Sequence, residues 1–360
     1  MTVYNFNPGP SALPSEVLER AKDSMFNYQN TGLSVLEMSH RSPLYEDVHF
    51  QAIADVRSLL AVPENYHILF LQGGASLQFA MLPMNFLSPG KKAGYILSGS
   101  WSEKAYQEAS RIGAAIVLAS DKDNNYRSIP AVDENHFADD LAYIHITSNN
   151  TIFGTQWDAL PTRKSIPVCV DASSDIFSKP IEWDNVDLLY AGAQKNAGPS
   201  GVTIVIIRNE FLQTANKTVP KYLAYDTHVK ADSLYNTPPT GSIYLLGLTM
   251  KWIKENGGVK GMEAAAKKKA GLLYDAIDAS GSFYQGHADK ASRSCMNVTF
   301  TLQNSELEKQ FLQEAKARGF IGVNGHRSVG GCRASIYNAV PLSHVEALRS
   351  FMIEFQKAHA

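Results

Sequence analysis

From about residue 15 onward the chain alternates short apolar runs with amphipathic stretches. Residues 66–71 are apolar except for His67 and have the length of a buried strand. Gln72-Gly73-Gly74-Ala75-Ser76 breaks that run, and a helical pattern follows over 77–86. The same alternation predicts a strand at 95–97 and a helix over 102–112. Further strands are predicted at 114–118, 141–146, 168–170, 188–190 and 202–207. Strands separated by helices mean βα units and a mostly parallel sheet. The last two strands have no helical stretch between them, which predicts an antiparallel pair.

After Pro238-Pro239-Thr240 a long helical pattern runs to about residue 255, with Gly257-Gly258 as its stop signal. A second helix is predicted over 261–279. The character then changes to a strand at 296–302, a helix over 305–318, a strand at 332–337 and a closing helix over 342–358. In that last helix Val345, Leu348, Met352 and Phe355 recur at helical spacing and mark a core stripe. The pattern predicts a large α/β domain over 15–255 and a smaller α+β domain over 256–360. Residues 1–14 are expected to pack near the small domain and the active site. Lys267-Lys268-Lys269 falls inside a helical pattern and reads as a solvated face.

Composition narrows the function classes. The 360 residues are 44% hydrophobic and 19% charged, a globular balance. With 33 Lys+Arg against 35 Asp+Glu, the formal net charge of −2 gives no basis for nucleic-acid or polybasic membrane binding. The three cysteines, Cys169, Cys295 and Cys332, are too few and too widely spaced for a disulfide framework or a zinc motif. No run approaches the ~20 apolar residues of a membrane helix. The expectation is a cytoplasmic protein with no metal site.

Three stretches carry candidate chemistry. Gly73-Gly74-Ala75-Ser76 lies at a strand-to-helix turn, where backbone N–H groups at a helix N-terminus bind phosphate. Taken alone, an ordinary turn accounts for it. Asp171 ends a buried strand, where open α/β sheets place their sites; a helix N-cap is the competing reading. Lys195 sits in Ala193-Gln194-Lys195-Asn196-Ala197-Gly198-Pro199, between two apolar strands and among small neighbours. A desolvated lysine has a lowered pKa, and its neutral amine forms a Schiff base. Together the three meet the needs of pyridoxal phosphate: a phosphate cradle, a carboxylate for the ring nitrogen and a lysine for the aldehyde. Trp101 is placed to stack on the ring, and Thr151 to contact the ring hydroxyl or the aspartate.

These and further motifs give the whole chain a resemblance to the phosphoserine aminotransferase family of fold-type-I pyridoxal phosphate enzymes. The motifs include Asn5-Phe6-Asn7-Pro8-Gly9-Pro10, Ser39-His40-Arg41-Ser42, Asp171-Ala172-Ser173-Ser174, Tyr235-Asn236-Thr237-Pro238 and Gly325-His326-Arg327-Ser328, the last continuing through Arg333 to Asn338. The resemblance implies a mostly parallel, seven-stranded sheet flanked by helices and a smaller α+β C-terminal domain. It implies that Lys195 holds the cofactor covalently, Asp171 pairs with the ring nitrogen, and Trp101 and Thr151 contact the ring. Ala75, Ser76 and Gln194 would hold its phosphate. Asn236 and Thr237 would reach the same phosphate from a neighbouring subunit, which requires a homodimer. Arg333 would bind the substrate α-carboxylate, and His40, Arg41, His326 and Arg327 the distal anion. Some members carry arginine at the position of Ser76 and serine at that of Pro8, which puts one phosphate contact in doubt.

The implied reaction moves an amino group from L-glutamate to 3-phosphohydroxypyruvate, in serine biosynthesis. The family also tends to act on a phosphohydroxythreonine-type substrate in pyridoxine biosynthesis. Two alternatives stay open on the residues alone. One is a cysteine desulfurase-like lyase using Cys332; the other is a non-catalytic anion-binding α/β protein in which Lys195 is an ordinary phosphate ligand.

Overall fold

The computed structural model describes residues 2–132, 137, 140–161 and 166–360. In chain order it runs β1 (Tyr4–Asn5), α1 (Ser15–Ser24), α2 (Pro43–Leu60), β2 (Tyr66–Leu71), α3 (Gly74–Phe86), β3 (Lys92–Leu97), α4 (Ser100–Ile112), β4 (Ala115–Ser120) and β5 (Leu141–Thr147). It continues with β6 (Asn149–Asn150), β7 (Thr155–Gln156), β8 (Val168–Asp171), β9 (Leu188–Gly192), β10 (Thr203–Arg208), α5 (Asn209–Gln213), α6 (Tyr225–Lys230), α7 (Thr240–Glu255) and α8 (Gly258–Asp278). The remaining elements are β11 (Tyr284–Gly286), β12 (Asn297–Leu302), α9 (Ser305–Ala317), β13 (Phe320–Ile321), β14 (Cys332–Ser335) and α10 (Leu342–His359).

The main sheet has seven strands in the order β2-β10-β9-β8-β5-β3-β4. The β10 strand is antiparallel to both of its neighbours, as the missing helix before it predicts. The other pairs are parallel, so every strand except β10 points its C-terminal end the same way. Alternate residues of a strand face opposite sides. Val168 and Val170 therefore join the core under α2 and α7, with Val56, Leu60, Leu246 and Met250. Cys169 faces the other core, with Phe79 and Leu82 of α3 and Ala105 of α4. A sheet covered on both faces reads as continuous apolar runs, which explains why its strands were legible.

A smaller antiparallel sheet, β11-β12-β14, packs against α8, α9 and α10. Its core is aromatic, with Phe311 in ring contact with Phe300, Phe351 and Phe355. The α10 stripe of Val345, Leu348, Met352 and Phe355 is buried there, joined by Phe351. At the N-terminus β1 pairs in parallel with β13, Tyr4 opposite Phe320.

One sequence reading fails. Lys267 of the lysine run is exposed and paired with Glu263 at 2.6 Å, but Lys269 is buried. Its ammonium donates to the carbonyls of Tyr337 at 2.6 Å and Val340 at 3.1 Å, and burial lowers its pKa to about 7. Successive helical residues turn by about 100°, so a three-residue run sweeps from solvent to core.

Candidate active site

The C-terminal ends of β2, β3, β5, β8 and β9 and the loops after them enclose a cavity of about 400 Å³. An open α/β sheet places its ligands at this edge, and the volume is that of a cofactor-sized site. Asp171, the last residue of β8, is 4% exposed. Its Oδ1 accepts from the Ser173 amide at 2.9 Å, which fixes the carboxylate towards the cavity wall. Burial raises its pKa, while the Lys195 charge and the bond from Ser173 oppose that rise. Lys195 follows β9 on the same wall. Burial lowers its pKa, Asp171 opposes the change, and the Arg333 charge adds to it.

The N-terminal segment closes one side. Gly9 packs on the Lys195 stem: a Cβ there would lie 3.4 Å from Lys195 Cγ, and its φ of +149° also favours glycine. The Ser11 amide donates to the Gln194 carbonyl at 2.9 Å, and Tyr337 Oη donates to the Pro8 carbonyl at 2.8 Å. Across the cavity, Trp101 Nε1 donates to Thr151 Oγ1 at 3.1 Å, which locks the indole plane. The Lys195 ammonium lies 5.4 Å from the centroid of that ring.

The phosphate-type end is built by a turn. Gly73 has φ +85°, and a Cβ on it would stand 2.6 Å from Leu77 Cβ. Gly73 caps α3 in this left-handed conformation, which leaves the first-turn N–H groups facing the cavity beside Ala75 and Ser76. Arg333 enters from β14. It is 5% exposed, its Nη1 donates to the Thr151 carbonyl at 2.7 Å, and its buried Nε has no partner among the described residues. His326 lines the rim, with Nδ1 2.6 Å from Ser328 Oγ. Burial, then Arg333, Arg327 and Lys104, lower its pKa.

The cavity thus gathers Ala75, Ser76, Trp101, Thr151, Asp171, Gln194, Lys195, His326 and Arg333. Five expected residues do not line it in this chain. Arg327 is exposed next to His326. Arg41 is exposed, and His40 has a buried Nε2 with no partner among the described residues. Asn236 Nδ2 lies 3.5 Å from Gln72 Oε1, and the Thr237 carbonyl accepts from Gln72 Nε2 at 3.3 Å. Both therefore sit outside the cavity, against the residue just before its glycine turn.

Other wall residues escaped the sequence reading. Asn149 lines the cavity and donates at 2.8 Å to both Ser174 Oγ and Asn297 Oδ1. Asn297, in the middle of the small sheet, donates to Ser335 Oγ at 3.0 Å and Tyr337 Oη at 3.2 Å. This buried chain of bonds ties the β14 strand carrying Arg333 to the segments that follow β5 and β8 of the main sheet. The only trace in the sequence was a polar residue inside an apolar strand. Cys332 also belongs to β14, but it is fully buried in the small-sheet core and burial pushes its thiol pKa up, so it offers no accessible nucleophile.

A buried acid and a lysine of lowered basicity on one wall, a helix N-terminus nearby and a buried orphan guanidinium N–H fit pyridoxal phosphate with its substrate. The chain matches the family model for class-V aminotransferases over residues 3–348. It is 59% identical to the phosphoserine aminotransferase of Lysinibacillus sphaericus, over 99% of this chain and 98% of that one. Identity to the Bacillus subtilis phosphoserine aminotransferase is 56%, over 98% of each chain. Among solved structures, the phosphoserine aminotransferase of Bacillus circulans subsp. alkalophilus superposes with a TM-score of 0.97 at 51% identity, covering 100% of this chain and 99% of that one. A pyridoxal phosphate-bound phosphoserine aminotransferase from Trichomonas vaginalis gives 0.93 at 37% identity, covering 98% of this chain and 100% of that one. The chain belongs to the class-V aminotransferases and, within them, to the phosphoserine aminotransferase family.

Proposed function

We propose that this chain transfers the amino group of L-glutamate to 3-phosphohydroxypyruvate, giving O-phospho-L-serine and 2-oxoglutarate. The observation that carries the reading is the placement of Lys195 and Asp171 on one wall of a cavity with Arg333 and His326 also in its lining. Pyridoxal phosphate, when bound, supplies an electron sink for the electrons released at the substrate α-carbon. Asp171, in the cavity lining, would pair with the ring nitrogen and keep it protonated. Trp101, held by Thr151, would pack on the ring face. The α3 N-terminus, Ala75, Ser76 and Gln194 would hold the phosphate. Lys195 would carry the covalent attachment and, as a free amine, would take onto its Nζ the proton leaving the substrate α-carbon. Its lowered basicity increases the neutral fraction available for that work. Arg333 binds the α-carboxylate through its unpartnered Nε edge, because a guanidinium fork matches a carboxylate. His326 and Arg327 take the distal anion.

His40, Arg41, Asn236 and Thr237 complete the site of a second copy in a homodimer. Phe26, Leu33 and Leu36 support this: they are 82%, 46% and 61% exposed in the segment leading to His40, an apolar surface that a second copy would cover. The chain divides into a large unit over 15–255 and a small one over 256–360, acts in the cytoplasm, and also serves 4-phosphohydroxy-L-threonine formation in pyridoxine biosynthesis. The test of the reading compares 3-phosphohydroxypyruvate with hydroxypyruvate as amino acceptor. The phosphorylated acid should be favoured in kcat/KM by about 100-fold or more. Equal rates would remove the distal-anion assignment.

A further inference from the structure

Beside Trp101, a residue of the cavity lining, stands a cation that neither the sequence reading nor the proposed reaction has used. Lys104 lies three residues after Trp101 in the first turns of α4, and its ammonium stands 4.4 Å from the centroid of the Trp101 ring. The side chain is exposed and has no carboxylate partner among the described residues, although Glu103 beside it is engaged by Lys122 at 2.6 Å. The Lys104 charge acts on His326, alongside those of Arg327 and Arg333. Neither arginine has a carboxylate partner among the described residues. Three cations and an imidazole gathered without a facing acid repel one another, and that repulsion is relieved when an anion enters.

We propose that Lys104 is a further cationic arm of the subsite for the substrate's distal phosphate, and that it sets the preference for a phosphorylated over an uncharged oxo-acid tail. This inference rests on the transaminase reading given above. A dianionic phosphate calls for more than one positive charge. His326 supplies little at neutral pH, because its surroundings hold it below its ordinary pKa. Ser76, in the first turn of α3, adds none. An ammonium is a compact point charge suited to phosphate, and the Trp101 face restrains the otherwise flexible lysine stem. The same indole is assigned to the cofactor ring. Lys104 would therefore act from beside the indole as a specificity residue rather than on the reacting atoms.

The test uses the holoenzyme with Lys104→Met, which keeps the stem, Lys104→Arg, which keeps the charge, and Lys268→Met, which removes one exposed charge far from the site. For each, KM and kcat are measured with 3-phosphohydroxypyruvate and hydroxypyruvate, together with inhibition by inorganic phosphate and the visible absorbance of bound cofactor. Lys104→Met should raise KM for the phosphorylated acid about tenfold and weaken phosphate inhibition by a similar factor. Its kcat/KM for hydroxypyruvate should stay within about twofold, and its absorbance should match wild type. Lys104→Arg should recover most of the loss, and Lys268→Met should behave as wild type. Equal losses on both acids, or an altered absorbance, would mean that Lys104 acts through Trp101 and the cofactor, and would overturn the assignment. So would unchanged constants for the phosphorylated acid. A wild-type enzyme with no preference between the two acids would overturn the distal-anion assignment along with it, one that aminates neither acid would overturn the transaminase reading, and a wild-type preference retained by Lys104→Met would overturn only the role of Lys104.

Discussion

At the scale of single residues, the proposed chemistry turns on how far burial and neighbours move two ionisable groups. Asp171 and Lys195 shift in opposite directions for the same reason, since leaving water disfavours both charged forms. Each partly restores the other's charge, so removing either has two effects. Lys195→Ala should lower turnover by at least about 1,000-fold, because the covalent attachment and the proton carrier are the same amine. Asp171 and the α3 N-terminus remain, so the variant should still hold pyridoxal phosphate through dialysis, yet borohydride should no longer fix it to the chain. Turnover within tenfold of wild type would rule out Lys195 as the proton carrier. Both residues were legible because each sits at an abrupt change of composition, a strand end or a loop of small residues. The bond from Arg333 to the Thr151 carbonyl was not legible, because it joins positions 182 apart and only the folded sheets bring them together.

At the scale of elements, the strands of the main sheet were readable because both faces are covered, which leaves unbroken apolar runs. The helices were readable from their spacing, but the role of each helix face was not. In α8 the lysine run hides the one member that holds the loop following β14, the strand that carries Arg333. The pKa of Lys269 falls from 10.5 to about 7 in the folded chain. Between these values the unfolded chain binds more protons, so this group adds stability as pH rises through the window and adds nothing further above it. The contribution over the whole window is on the order of 2–5 kcal/mol. Thermal melts of wild type and Lys269→Met from pH 7 to pH 10 should therefore diverge, wild type gaining relative to the variant as pH rises. The buried tyrosines titrate equally in both proteins and cancel in the difference. Two melting curves that stay parallel across this range would show that Lys269 does not titrate there.

At the scale of the whole molecule, one chain builds most of a site and leaves part of its expected equipment outside. Asn149 and Asn297 link the small sheet to the loops after β5 and β8, so the β14 strand bearing Arg333 is held against the Lys195 wall by buried hydrogen bonds within a single chain. His40 and Arg41 do not line their own cavity, and Asn236 and Thr237 reach only Gln72 beside it. A net charge of −2 spread over 360 residues conceals this division entirely, because the cations that matter cluster at one rim. Subunit complementation separates a shared site from a self-contained one. Lys195→Ala and Asn236→Ala, each of low activity alone, are mixed in equal amounts, dissociated and reassociated. In a homodimer with shared sites, a hybrid holds one site lacking both residues and one that is intact. Random pairing makes half the dimers hybrid, so the mixture should recover about a quarter of the wild-type activity. If each chain completes its own site, every site in every dimer stays defective and mixing recovers nothing. The recovered fraction therefore reads out directly whether Asn236 acts on the cavity of the chain that carries it or on that of its neighbour.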